Sequence, residues 1–366
     1  MLPEHRRRMK MNKKMLALTC VALLLVAVVA FAGNTDILFG NKDTQQTTTV
    51  PTVENAENKV TVTVENTVVP TTVKPTETTV TQPITEYRPS VTNPPYRAEN
   101  ITGVPDSSAK TFTGYAALPS VTFAVNDPEN SRGLPTSAIN HSFGVAKDGK
   151  PHDISVNSQK FFESKGYNAV TYDTKSTEKV LYLTFDCGYE NGYTFKVLDT
   201  LKSKNVSAAF FCTLDHIKAE PELISRMIKE GHIVGNHSDK HPNFSKISRT
   251  RMAQEIETTD NYLRTNFGYT SPFFRFPEGA YSENALELVG SLGYKSVFWS
   301  LAYSDWDTSN QKGKQYAFDT VTARLHPGAI ILLHSVSKDN AEALGDIIDY
   351  ALTQGYVFKP LTELPL

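Results

Sequence analysis

From residue 180 to the end of the chain, apolar residues fall into short runs at 181–185, 208–212, 232–234, 273–276, 296–299, 329–333 and 356–359. Runs of this length, rich in Phe, Ile and Val and bounded by turn residues, predict buried strands. The stretches between them, 193–203, 221–230, 249–266, 282–292, 315–325 and 340–354, predict helices. Pro221 stands where a first-turn proline belongs, and Gly231, Gly293 and Gly355 fall just past helix ends. Regular strand–helix alternation implies a parallel sheet with helices covering it. Seven strands suit either a distorted barrel or an open sheet, and both gather functional groups at the carboxyl ends of the strands.

Upstream the pattern changes twice. Residues 106–178 mix aromatic anchors (Phe143, Phe161, Phe162, Tyr167, Tyr172) with turn signals such as Asp148-Gly149-Lys150-Pro151, and predict an ordered lead-in packed on the main domain. Residues 33–105 are rich in Thr, Val, Pro and Glu. Alternating Val and Thr there carry β propensity, but frequent Pro and few large apolar residues deny the segment a core. It reads as a disordered, semi-extended stalk, with a short β-repeat module as the alternative. Residues 1–32 open with Arg6, Arg7, Arg8, Lys10, Lys13 and Lys14 and continue apolar to Ala30-Phe31-Ala32. That is a signal peptide or an uncleaved membrane anchor, and either one exports the rest of the chain.

Composition narrows the function. The 366 residues carry a formal net charge of −2, and the body has no long basic run, so nucleic acid is not an expected partner. Of three cysteines, Cys20 lies in the apolar leader, leaving Cys187 and Cys212 in the exported part. Two cysteines are no disulfide framework, although one bridge between consecutive strands is an alternative.

The chemistry-bearing residues then fall into a pattern. Asp186 and Cys187 end the first strand; His237 and His241 follow the third; Arg275, Pro277 and Gly279 follow the fourth. Asp305 and Trp306 follow the fifth strand, and His334 ends the sixth. All are therefore expected at one pole of the sheet. Two histidines four apart share a face if the segment is helical, and with a carboxylate nearby they fit metal-assisted hydrolysis. Ser238 is placed to orient a ligand imidazole. A carboxylate directly after Tyr182-Leu183-Thr184-Phe185 needs a partner, and Arg275 is the natural one. His334 reads as a core histidine or a general acid, and Trp306 as core or a sugar platform.

These residues resemble the polysaccharide deacetylase, or NodB-homology, family (carbohydrate esterase family 4). Thr184-Phe185-Asp186-Cys187-Gly188 is similar to its T-F-D-D-G, and His237-Ser238-Asp239-Lys240-His241 to its H-[ST]-x-x-H. Arg275-Phe276-Pro277-Glu278-Gly279 resembles R-x-P-x-G, Ser304-Asp305-Trp306 the end of D-x-x-D-W, and Leu332-Leu333-His334 its L-x-H. Longer stretches, among them Gly188-Tyr189-Glu190-Asn191-Gly192-Tyr193-Thr194 and His326-Pro327-Gly328-Ala329, resemble the muramic-acid de-N-acetylases that build the δ-lactam of spore peptidoglycan.

The resemblance implies a distorted (β/α)7 barrel over 179–366. It also implies a monomeric exported hydrolase that removes N-acetyl groups from peptidoglycan, N-acetylmuramic acid before N-acetylglucosamine, chitin-like chains or xylan. It implies a divalent metal, zinc first and cobalt or another ion next, held by His237 and His241. Asp186 becomes the base, Arg275 its orienting partner, His334 the acid and Asp305 the support of His334. The backbone N–H near Glu278 would face the oxyanion, and Leu332 the acetyl methyl. Two departures stand out: Cys187 replaces a metal-binding Asp, and Ala302 replaces the first Asp of D-x-x-D-W. Cys187 is then either a thiolate ligand or no ligand at all. A wall-binding module without catalysis is the rival from another class, argued from the long stalk.

Overall fold

The structure is a computed structural model that describes residues 103–365. The expected leader or anchor at 1–32, Cys20 within it, and all but the last three residues of the expected stalk lie outside the described residues. In chain order the elements are β1 (Ile139–Asn140), α1 (Asp153–Lys165), β2 (Ala169–Val170), β3 (Val180–Cys187), α2 (Thr194–Lys204), β4 (Ala209–Cys212), α3 (Leu214–Ala219) and α4 (Pro221–Lys229). There follow β5 (Ile233–Asn236), α5 (Arg249–Phe267), β6 (Phe273–Phe274), β7 (Ala280–Tyr281), α6 (Glu283–Ser291), β8 (Lys295–Val297), α7 (Lys314–Thr322), β9 (Ala329–His334), α8 (Lys338–Thr353) and β10 (Val357–Phe358).

The strand β3 is the hub of the sheet. It pairs in parallel with β4 over Thr184 to Cys187 and with β9 over Leu181 to Asp186. From β4 the sheet runs on through β5, β6 and β8 to β2, and β10 joins the first two residues of β3. A parallel bridge between Leu301 and Ile331 ties the stretch after β8 back to β9, so the sheet curls toward closure. This is the distorted barrel rather than an open sheet. The seven expected strands are β3, β4, β5, β6, β8, β9 and β10. The remaining strand of the sheet, β2, comes from the lead-in, and its two residues are too short to show a period.

Alternation along β3 divides its side chains between two environments. Val180 and Tyr182 point into the barrel with Ala209, Phe211, Ile233 and Ile330. Leu181, Leu183, Phe185 and Cys187 point outward, onto Val197, Leu198, Ile224 and Leu344 of the helix layer. All eight residues of β3 are buried, and each large side chain so buried contributes roughly 1.5–3 kcal/mol. The helix α4 shows how the outer layer forms. Proline opens it, and its buried residues Leu223, Ile224, Met227 and Ile228 recur at helical spacing. Gly231 then turns the chain toward β5 at φ 82°.

The lead-in belongs to the same core. Its β1 pairs antiparallel with β7, and Phe162 of α1 stacks on Phe298 with ring centroids 5.2 Å apart.

Candidate active site

The carboxyl end of β3 delivers Asp186 into the barrel, facing Arg275 from the end of β6. The guanidinium is fully buried and spends its donors locally. Nη1 donates to Asp186 Oδ1 at 2.7 Å, Nη2 to Thr184 Oγ1 at 2.9 Å, and Nε to the Val297 carbonyl at 2.9 Å. Its face lies 4.1 Å from the Phe211 ring centroid. Burial alone would raise the Asp186 pKa, but the charge of Arg275 overrides it and holds the carboxyl below its ordinary value. Asp186 is therefore a carboxylate at neutral pH, with Oδ1 engaged and Oδ2 turned toward His237 Nε2 at 3.6 Å.

After β5 the chain turns through His237-Ser238-Asp239-Lys240-His241. This segment is a loop and not the helix that the four-residue spacing suggested. Ser238 and His241 both adopt left-handed backbone, at φ 73° and 54°, which breaks any helical continuation. The two imidazoles still meet edge to face, with ring centroids 4.8 Å apart. His237 Nδ1 sits 2.8 Å from the Arg275 carbonyl, which can only accept, so the proton is on Nδ1 and the Nε2 lone pair faces the cavity. Burial pushes His237 down to about 4, keeping the ring neutral. Ser238 bonds to backbone rather than to a ring nitrogen: its Oγ accepts from the His241 backbone N–H at 2.9 Å and fixes the loop that carries the second imidazole. Two imidazoles beside a carboxylate fit a divalent cation, and His237 and His241 are the residues that would hold it.

At the end of β9, His334 Nδ1 lies 2.7 Å from Asp305 Oδ1, and the His334 backbone N–H donates to Asp305 Oδ2 at 2.8 Å. Burial would lower the His334 pKa, but the Asp305 charge and hydrogen bond outweigh it, so the net direction is upward. Asp305 is itself held by Asn340 Nδ2, and Asn340 by the Tyr303 hydroxyl. Asn340 is a support that sequence reasoning missed. Its signal was there: it lies in the first turn of a helix, six residues after His334, at the same pole.

Asp186, His237, His241 and His334 line a cavity of about 600 Å³, with Arg275 and Asp305 behind two of them. Leu332 lies on its wall and packs with Trp299, Ala302 and Phe143. Trp306 is half-exposed at the rim, edge-on to His334 at 5.7 Å and to Phe143 at 6.5 Å. Glu278 contributes from a left-handed residue at φ 60°. Gly279 beside it admits no side chain, because a Cβ would stand 2.7 Å from both the His141 carbonyl oxygen and the Trp299 ring. The lead-in also supplies Asn140, His141, Ser142 and Phe143 to this wall, a contribution its sequence did not announce. A larger hollow of about 880 Å³ opens where the lead-in meets the start of β8, far from these groups, and its Arg264 is neutralised by Asp260.

Cys187 does not join the two histidines. Consecutive residues of a strand face opposite sides, so with Asp186 turned inward the thiol is turned outward. It is buried 3.2 Å from the Ser335 hydroxyl and next to Cys212 and His216. Both thiols are unbridged, so the disulfide alternative is not realised.

The sequence profile of the polysaccharide deacetylase family matches residues 173–297, which carry Asp186, His237, His241, Arg275 and Glu278. Peptidoglycan-N-acetylmuramic acid deacetylase PdaA of Bacillus subtilis is 43% identical over 232 residues, 63% of this chain and 87% of PdaA. The chain belongs to the polysaccharide deacetylase family. An uncharacterized 30.6 kDa protein of Geobacillus stearothermophilus is 48% identical over 189 residues, 51% of this chain and 71% of that protein. The solved structure of PdaA, described as a family 4 carbohydrate esterase, aligns with a TM-score of 0.59 over 63% of this chain and 98% of its own. As in that polysaccharide deacetylase structure, the sheet is parallel and curled. Among the described residues no helix is long and apolar enough to cross a membrane.

Proposed function

We propose that this chain is an exported, monomeric, metal-dependent hydrolase that removes the N-acetyl group from N-acetylmuramic acid in peptidoglycan. The reading rests on the convergence of Asp186, His237, His241 and His334 on one cavity, with Arg275 paired to Asp186 and Asp305 to His334 from behind. Identity with PdaA supports muramic acid as the sugar; δ-lactam formation in spore cortex is the process that the motif resemblance implies for it. A leader or anchor at 1–32 would carry the enzyme to the wall, through the stalk of 33–105.

Held by His237 and His241, a divalent ion, zinc first, would supply Lewis acidity to a water and positive charge to the developing oxyanion. Asp186, with Oδ1 fixed by Arg275, takes the water proton on Oδ2 as the water oxygen bonds to the acetyl carbon. The backbone N–H near Glu278 adds a hydrogen bond to the oxyanion. As the C–N bond breaks, His334 donates its Nε2 proton to the sugar nitrogen, leaving a free amine and acetate. Asp305 keeps His334 protonated and correctly turned for this step. Leu332 receives the acetyl methyl, and Trp306 offers a ring face to the sugar.

The test is mass spectrometry of glycan fragments after digestion, on strands with and without stem peptides, with Asp186→Asn as control. Free muramic amine on peptide-free strands, reduced about 10²–10⁴-fold in the variant, is the expected outcome. Loss of acetyl groups from glucosamine would reassign the substrate. Equal acetate release by both proteins would reject the mechanism, and none from either would favour a wall-binding module.

A further inference from the structure

Behind Asp186, on the outer face of the sheet, three donors that the proposed chemistry does not use meet in the buried layer under the helices. Cys187 and Cys212 are direct partners in the parallel register of β3 and β4, so their thiols leave the sheet on the same side. His216 is brought over them by α3, whose first turn is fixed by the Thr213 hydroxyl accepting from the His216 backbone N–H. Sulfur and imidazole nitrogen atoms of the three lie within 4.8 Å of one another, and all three residues are buried.

The imidazole identifies the occupant. Both ring nitrogens of His216 are buried without a hydrogen-bond partner, an arrangement that native cores avoid unless something fills the gap. A disulfide between the cysteines would leave that ring as stranded as before. A cation satisfies all three groups at once, and two thiolates with one imidazole select a thiophilic ion. Around such an ion, sulfur at about 2.3 Å and nitrogen at about 2.0–2.1 Å stand roughly 3.5–3.8 Å apart, so closing the site takes about 1 Å of inward movement. The Ser335 hydroxyl, 3.2 Å from the Cys187 sulfur, stands beside a fourth position.

We propose that Cys187, Cys212 and His216 form a second, structural metal site for Zn²⁺ or Cu⁺, separate from His237 and His241. Binding breaks two S–H bonds, releases both protons to solvent and transfers no electrons. With all three residues buried, the ion enters during folding. Its consequence reaches the cavity through the backbone: the Cys212 carbonyl accepts from His237 N–H at 3.1 Å, and the Cys187 carbonyl from Thr213 N–H at 3.2 Å. Clamping the two strand ends therefore fixes where Asp186 and His237 project.

The test removes the other site first. Full-length His237→Ala/His241→Ala protein, dialysed against a chelator, should keep about one equivalent of zinc or copper by elemental analysis. X-ray absorption at the metal edge should show sulfur scatterers near 2.3 Å. Adding Cys212→Ala, or His216→Asn should the first misfold, should cut retained metal below about a tenth of that level. Loss of all metal from the double-histidine protein overturns the proposal. So does a shell of nitrogen and oxygen only, or a bound metal that survives both added substitutions. Thiols that react only after reduction would show a disulfide instead and overturn it too. Because the readout is metal content in protein without the His237–His241 pair, it stands or falls apart from the deacetylase mechanism.

Discussion

His334 and Asp305 set a titration that activity should report. The proposed acid works protonated, so kcat/KM falls as pH rises through the His334 pKa. Asp305 raises that pKa, hence the alkaline limb should lie above the ordinary imidazole value. Asp305→Asn removes the charge and lowers the pKa, so the alkaline limb should move to lower pH. A pH–rate profile on a soluble muropeptide checks this, and an unmoved limb would detach Asp305 from the acid. At this scale the sequence was legible wherever one residue does its work through a strand end. Asp186, Arg275, Asp305 and His334 are all where the sequence placed them. The outward turn of Cys187 was also readable, since neighbours on a strand cannot share a face, but the family motif argued the other way. Asn340 escaped because its partner, Asp305, lies 35 residues away in sequence and an Asn in the first turn of a helix reads as an ordinary polar residue near a cap.

Among elements, the strands and long helices were legible because burial imposes a period, and what has no period was not. The loop at 237–241 is shaped by left-handed Ser238 and His241; serine does not announce φ above zero, and histidine does so only weakly. The antiparallel pair of β1 with β7 is two residues long on each side. Helix ends were clearer. Ser248 caps α5, its side chain accepting from the Arg251 N–H, on the solvent side of the fold and away from the cavity. Ser248→Ala should therefore cost about 1 kcal/mol in denaturant unfolding and leave kcat unchanged. A fall in kcat of similar size would mean that α5 reaches the site through the loop at 237–241, which packs on it by way of the Lys240 N–H to Glu255 hydrogen bond.

For the molecule as a whole, the expected packing of the lead-in on the main domain goes as far as a shared core across residue 179. The lead-in adds β2 to the edge of β8, seats Phe162 among Phe276, Tyr281 and Phe298, and walls the cavity with His141 and Phe143. A fragment starting at 179 would expose that aromatic cluster. It should show no cooperative melting transition by calorimetry, while the full chain does. A fragment that melts like its parent would restore the lead-in to the status of an accessory. One further consequence concerns inheritance. Arg275 lies fully buried and Asp186 is its counter-ion, so losing either alone strands a charge at a cost of about 3–5 kcal/mol. Asp186→Asn combined with Arg275→Gln should unfold at higher denaturant than Arg275→Gln alone, although neither protein would release acetate. Descendants of this chain that abandon catalysis are then expected to shed the two residues as a pair, and a lineage retaining Arg275 is under pressure to keep its carboxylate for stability alone.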